Sequence, residues 1–185
     1  MIDLDIAPLA SPVGPLCLVA RGDTLLAIEF DEPVEEELVR RLGPVRLRRR
    51  RDPAGIAARL RAYFAGDLKA LDPVAVDPGG TAFQRRVWEL LRTIPSGTTT
   101  TYGELARRLG TPGASRAVGL ANHDNPIPIV IPCHRVVGSR GHLTGYAGGL
   151  DRKRWLLEHE GVLLPLGRRE PSATKPTKRR VATAE

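Results

Sequence analysis

Asn125-Pro126-Ile127-Pro128-Ile129-Val130-Ile131-Pro132-Cys133-His134-Arg135-Val136-Val137 is apolar enough to be buried, yet it fits no regular element. Its three prolines lack N–H donors and fix φ, which forbids a helix and a central strand. The segment is expected to run extended and irregular through the interior, delivering Cys133 to a fixed place. Before it, Phe83, Val87, Leu90, Leu91 and Ile94 mark one face of a helix that Pro95-Ser96-Gly97 stops. Thr101-Tyr102-Gly103-Glu104 fits a capping box opening a helix to about Leu109, and Gly110 ends it. A turn through Thr111-Pro112-Gly113 leads to a second helix from about Ser115 to Asn122. Together they give a helix-turn-helix pattern over residues 102–122. After the proline segment, Gly138 to Gly149 is a glycine-rich loop holding Tyr146. Asp151 is expected to cap a last helix through Trp155, Leu156 and Leu157 to Glu160, closed by Gly161.

The first eighty residues have a different pattern, which is α/β. Leu16 to Ala20 and Leu25 to Phe30 flank Arg21-Gly22-Asp23-Thr24, a hairpin whose strands read as buried on both faces. Pro33 to Leu42 reads as a helix stopped by Gly43-Pro44, and Val45-Arg46-Leu47 as a short strand. Arg48 to Arg51 is a run of four arginines, either a solvated strand end or a DNA contact. Ala54 to Ala65 reads as a second helix, with Ile56, Leu60 and Phe64 on one face and Gly66 as its cap. Asp72 to Gly80, with two prolines and two glycines, is a plausible boundary. The expected organisation is a small α/β domain over 1–78 and a mostly α-helical domain over 79–164. A basic, disordered tail is expected over 165–185.

The 185 residues carry a net charge of +7, unevenly spread. Residues 1–80 hold 11 basic and 13 acidic side chains, 81–160 hold 11 and 6, and 161–185 hold 6 and 2. The basic character therefore lies after the boundary, which suits a polyanionic partner without proving one. No long apolar run predicts a membrane span. Met1-Ile2-Asp3-Leu4-Asp5 lacks the features of a signal peptide. Two cysteines, Cys17 and Cys133, make neither a disulfide scaffold nor a four-cysteine zinc site, so the expected compartment is a reducing cytoplasm. Cys17 reads as a small apolar core residue in a strand.

Cys133 and His134 admit two readings: a buried structural cysteine beside a satisfied core histidine, or a nucleophile beside its base. A free thiol is only slightly ionised at neutral pH, so a nucleophilic Cys133 needs a base. His134 supplies one directly or through a water, and Glu160 is a candidate to orient it, in the logic of a triad.

The blocks around this pair resemble the O6-alkylguanine-DNA alkyltransferases, also called methylated-DNA–protein-cysteine methyltransferases. The family signature stands here as Pro132-Cys133-His134-Arg135-Val136. Before it come Phe83-Gln84-Arg85-Arg86-Val87-Trp88, Thr101 to Ala106, Ser115-Arg116-Ala117-Val118-Gly119 and Asn125-Pro126. After it come Leu143-Thr144-Gly145-Tyr146 and Trp155 to Gly161. The blocks keep the family's order over residues 81–161, while the first eighty residues match loosely.

The resemblance implies a ribonuclease-H-like first domain and a helical second domain that binds double-stranded DNA in the minor groove as a monomer. It implies a damaged guanine flipped from the stack and a single-use transfer of its O6-alkyl group to Cys133, with O4-alkylthymine a further candidate substrate. It assigns proton transfer to His134, orientation of His134 to Glu160, donation to guanine N3 to Tyr102, and bracing of the Cys133 turn to Asn125. The Ala147 N–H would meet O6, and the Cys133 and Val136 carbonyls would accept from the exocyclic amine. Tyr146 would wall the pocket. Arg116 would fill the gap left by the base, with Ser115 and Ala117 beside it on the DNA-facing helix. No metal, small-molecule cofactor or membrane partner is implied. Two other functions stand beside this one: a helix-turn-helix regulator or damage sensor with an inert cysteine, and a cysteine hydrolase using Cys133, His134 and Glu160.

Overall fold

Ile2–Leu9, whose charges mask its strand pattern, is the central strand β1 of a four-stranded sheet. It is followed by β2 (Leu16–Arg21), β3 (Thr24–Glu29) and, after α1 (Glu35–Leu42), β4 (Val45–Arg49). The sheet order is β3-β2-β1-β4, antiparallel from β3 to β1 and parallel between β1 and β4. The computed structural model describes residues 1–30 and 35–162. The expected start of the first helix at Pro33 and the tail at 165–185 lie outside the described residues. Pro8 is tolerated in β1 because β4 reaches only as far as Ile6, so its missing N–H disrupts no pairing on that side. The two-fold alternation of β2 divides two cores: Leu16, Leu18 and Ala20 enter the larger, Cys17 and Val19 the smaller. The smaller is completed by Leu38 of α1.

The arginine run continues β4 instead of forming a loop. In the parallel register Arg48 lies 3.1 Å from Asp5 and 3.3 Å from Asp3, and Arg50 lies 3.5 Å from Asp5. The helix expected from Ala54 begins two residues later, as α2 (Ile56–Phe64). Pro53–Gly55 forms a 3-10 turn with Ala54 and Gly55 at φ 54° and 70°, and the Asp52 carboxylate accepts from the Ala57 N–H at 2.8 Å.

The second half comprises α3 (Ala82–Arg92), β5 (Thr100–Thr101), α4 (Tyr102–Arg108), α5 (Ser115–His123), β6 (Val136–Val137) and α6 (Leu150–His159). A complete capping box, Thr81 with Gln84, starts α3. The box expected at Thr101 is half formed: Thr101 accepts from the Glu104 N–H, but the Glu104 carboxylate pairs with Arg107. Asp151 does not cap α6. Gly149, at φ 89°, is the N-cap, and Asp151 sits in the first turn, where it complements the helix dipole.

The larger core crosses the expected boundary. Leu18, Leu25 and Ile28 of the sheet share it with Tyr63, Trp88, Leu105, Val118, Ile131 and Leu156. Backbone bonds also cross it: Ile28 N–H donates to the Pro126 carbonyl at 2.9 Å, and β3's edge is covered by Ala75 and Asp77. Arg152 donates to the Val13 carbonyl at 2.7 Å while stacking on Phe30. The proline segment is thus fixed between sheet and helices. Among the described residues no helix is long and apolar enough to cross a membrane.

Candidate active site

Two tight turns aim Cys133. The Val130 N–H donates to the Pro128 carbonyl at 2.9 Å across Ile129, whose φ is 75°. A β-branched residue at positive φ is strained by about 1–3 kcal/mol. Its near-complete burial holds it there. Asn125 clamps the same bend, donating from Nδ2 to the Ile131 carbonyl at 2.8 Å and accepting the Ile127 N–H at 3.0 Å. Pro132, at φ −81° and ψ 63°, is the centre of an inverse γ-turn closed by the Cys133 N–H on the Ile131 carbonyl at 2.8 Å. Cys133–Arg135 then makes a single 3-10 turn, and Val136 and Val137 pair with Thr100 and Thr101. The prolines do what the sequence requires of them: no regular element runs through residues 125–132.

The 3-10 turn buries Cys133, His134 and Arg135 together. Glu160, at the C-cap of α6, meets two of them. His134 Nε2 lies 2.9 Å from Glu160 Oε1, and Arg135 forks onto the carboxylate through Nε at 2.9 Å and a terminal nitrogen at 2.8 Å. Arg135 also donates to Ser96 and the Ile94 carbonyl. Tyr63 of α2 donates its hydroxyl to Glu160 Oε1 at 2.7 Å. Burial alone would raise the Glu160 carboxyl, but hydrogen bonds and charge from His134 and Arg135 hold it well below the usual carboxylate range. An ionised Glu160 fixes the tautomer of His134: Nε2 carries the proton and Nδ1 keeps its lone pair. Nδ1 is buried without a hydrogen-bond partner among the described residues. Burial lowers the His134 pKa against the opposing pull of Glu160, so the ring is neutral at pH 7 and able to accept a proton. Burial pushes the Cys133 thiol up to about 11, opposed by Asn125, the Lys153 charge and the N–H groups of the turn.

A second network holds the opposite wall. Lys153 is fully buried and donates to the carbonyls of Val136 at 2.5 Å, Thr144 at 2.7 Å and Gly145 at 3.3 Å. Burial lowers its pKa to about 8. The Tyr102 hydroxyl donates to the same Thr144 carbonyl at 3.3 Å, and burial raises its pKa, so it remains a donor. The Val136 carbonyl is therefore already engaged by Lys153. The Cys133 carbonyl is engaged by the Val136 N–H and, at 3.4 Å, by Asn122 Nδ2. Tyr146 is buried with its ring edge on Phe30, and its hydroxyl has no partner among the described residues. Gly148 makes this packing possible: a Cβ there would lie 2.6 Å from Phe30 and 2.8 Å from Tyr146. Ala147 is exposed, and no hydrogen bond among the described residues uses its N–H.

Arg116 and Ala117 are exposed on α5, and Ser115 at its start is half-buried. Arg116 makes no hydrogen bond or ion pair among the described residues. Trp88 anchors the helix from behind through Nε1 to the Ala121 carbonyl at 2.8 Å. The structure thus gathers Cys133, His134, Glu160, Asn125 and Val136 in one buried unit. Tyr102, Tyr146 and Ala147 lie along the 144–147 loop, and Ser115, Arg116 and Ala117 lie on an outer face. Sequence reasoning missed Tyr63, Arg135 and Lys153. Arg135 stood inside the signature; the other two gave no signal.

A cavity of about 440 Å³ is lined by Leu71, Arg92, Ile94, Ser96, Pro132 and Arg135, among others, but not by Cys133 or Tyr102, so it is not where the thiol meets a substrate. Among the described residues no cluster of three or more His, Cys, Asp or Glu is placed to hold a metal ion.

Residues 82–162 match the family model for the DNA-binding domain of 6-O-methylguanine DNA methyltransferase. The methylated-DNA–protein-cysteine methyltransferase of Shigella flexneri is 49% identical over 163 residues, which cover 84% of this chain and 95% of that one. The crystal structure of Mycobacterium tuberculosis O6-methylguanine methyltransferase superposes with a TM-score of 0.73 at 42% identity, covering 89% of this chain and 96% of that one. The M. tuberculosis protein in complex with DNA gives 0.72 at 44% identity, covering 84% and 92%.

Proposed function

Because the chain belongs to the methylated-DNA–protein-cysteine methyltransferase family, we propose that it repairs alkylated DNA by direct reversal, transferring the alkyl group of O6-alkylguanine to its own Cys133. The observation that carries this reading is the buried Cys133–His134–Glu160 unit, with the carboxylate setting the tautomer and Nδ1 left free to accept. Cys133 sulfur forms a bond to the alkyl carbon as that carbon's bond to O6 breaks, and the electron pair passes to guanine. The thiol proton goes to His134, directly or through a water, and then to the guanine, so the net product is a thioether and restored guanine. Because the thioether is stable, each molecule acts once. A thiol with a high pKa gives a strongly nucleophilic thiolate once its proton is removed. Removing it only beside His134 confines the reactivity to the loaded site.

Tyr102 would turn from the Thr144 carbonyl to N3 of the guanine, and the Ala147 N–H would meet O6 as charge develops. Val136 and Cys133 present carbonyls whose second lone pairs suit the exocyclic amine. Tyr146 walls the pocket and Asn125 braces the turn. We read α4, the intervening turn and α5 as a helix-turn-helix whose small-sided second helix enters the minor groove, with Ser115 and Ala117 against the backbone and Arg116 in the gap left by the flipped base. The sheet order supports a ribonuclease-H-like reading of residues 1–78, with 79–164 as the reactive, DNA-binding part. A single chain carries every residue named, which supports action as a monomer. Two buried free thiols fit a reducing cytoplasm.

Incubation with duplex DNA containing O6-methylguanine, followed by peptide mass spectrometry, tests the proposal. The expected outcome is one methyl group on the Cys133 peptide and restored guanine in the DNA. A folded, reduced sample that binds this DNA and leaves Cys133 unmodified would instead be a damage sensor.

A further inference from the structure

The carboxylate that orients His134 is held from the far half of the molecule. Tyr63 lies in α2, outside the region matched by the family model, and is fully buried. Its hydroxyl and His134 Nε2 share one oxygen of Glu160, at 2.7 Å and 2.9 Å. Its carbonyl also lies 2.8 Å from His159 Nε2, and its ring meets the His159 ring edge-on at 5.1 Å, so one residue secures two neighbours at the end of α6. His159 is stacked in turn on Trp155. The packing alone would be met by phenylalanine. The hydroxyl is needed only for Glu160.

We infer that Tyr63 is a positioning residue of the transfer site, whose hydroxyl fixes the Glu160 carboxylate and limits how strongly that carboxylate draws a proton onto His134. The inference rests on the alkyl-transfer reading. Two donors on one oxygen divide its charge, and each weakens the other's bond. Without Tyr63, Glu160 Oε1 is a stronger acceptor toward His134, so the imidazolium is favoured. A base that is already protonated at working pH cannot take the thiol proton. The titratable and charged groups facing His134 and Glu160 are Arg135, Lys153, Cys133, Tyr63 and Tyr146. Of these only Tyr63 and Arg135 donate to Glu160 besides His134, and Arg135 is permanently charged.

Tyr63→Phe removes the hydroxyl and keeps the ring. The single-turnover rate of methyl transfer is measured against pH for both proteins. The expected result is a low-pH limb displaced to higher pH in the variant, with unchanged affinity for unmodified duplex. 3-Fluorotyrosine at position 63, a stronger donor of nearly the same shape, moves the limb the other way and covers the case in which Tyr63→Phe does not fold. A limb unmoved in the folded variants overturns the inference, whatever happens to the plateau rate or the melting temperature. Titration of the His134 imidazole by NMR reads the same shift without any transfer. A wild-type protein that transfers no methyl group therefore fails the functional reading alone, while an unmoved imidazole pKa fails the inference alone.

Discussion

Lys153 shows how a single buried charge acts on both the reactive sulfur and the wall opposite it. Its ammonium ties Val136, Thr144 and Gly145 together and lowers the energy of a thiolate at Cys133. With its pKa lowered to about 8 by burial, that support is present below pH 8 and is lost as pH rises through it. Transfer should slow across this interval in the wild type. In Lys153→Met the plateau should be lower and the step near pH 8 absent, read by single-turnover rates. Stability should run the other way: between about pH 8 and the ordinary lysine value the unfolded chain binds the proton more readily, so folding is favoured as pH rises. Neither Lys153 nor Tyr63 was legible in the sequence. A lysine in a helix reads as a solvated charge. Tyr63 sits one position off the Ile56, Leu60 and Phe64 stripe, and it is fully buried while Phe64 is only half-buried. Cys133, His134 and Glu160 were legible as residue types, but only the fold brings Glu160 to His134 across 26 positions.

At the scale of elements, those legible in the sequence have strong punctuation. The hairpin, the helices before and after Gly110, and the irregular run from Asn125 all have prolines or glycines at their edges. Strand β1 does not, because Asp3, Asp5 and Pro8 interrupt its apolar residues, and its place at the sheet's centre is set by partners distant in sequence. Asp151 looks like a cap because it precedes an apolar run; the actual start is decided by Gly149 at φ 89°, a conformation aspartate adopts less readily. The loop between β6 and α6 depends in the same way on one small residue. In Gly148→Ala the added Cβ must displace Phe30 or Tyr146, at a cost of about 1–3 kcal/mol. Denaturant unfolding should show that loss. Transfer should slow as well, because Tyr146 is the wall that moves. A Gly148→Ala variant with wild-type stability and rate would mean that the two rings do not confine the loop.

Across the whole molecule, the composition shift at residues 72–80 is real, yet the larger core passes through it. Heating should therefore give one cooperative transition, and a calorimetric trace with two separate peaks would refute that continuity. Acid should lower the transition temperature in a defined order. His134 has a folded pKa below its ordinary value, so the unfolded chain takes up a proton first and stability falls as pH drops below about 6.5. The depressed Glu160 carboxyl contributes stability above its unfolded value, and this is lost as pH falls below about 4.3 toward the folded value. The arginines of β4 are matched by Asp3 and Asp5, so the positive field that DNA meets comes from the later half of the chain. That polarity turns the reactive half toward the duplex during approach.

The burial of Cys133 has a further consequence for a protein consumed by its own reaction. A protonated thiol with 4% of its surface accessible is a poor target for electrophiles that diffuse through the cell. Alkylating metabolites and peroxides act on thiolates that are exposed and already ionised, and Cys133 is neither. The sulfur is kept inert in storage, and only a substrate that brings its carbon to the sulfur beside His134 draws it into reaction. Chemical shelf life and speed of repair are thereby separated, although one atom serves both.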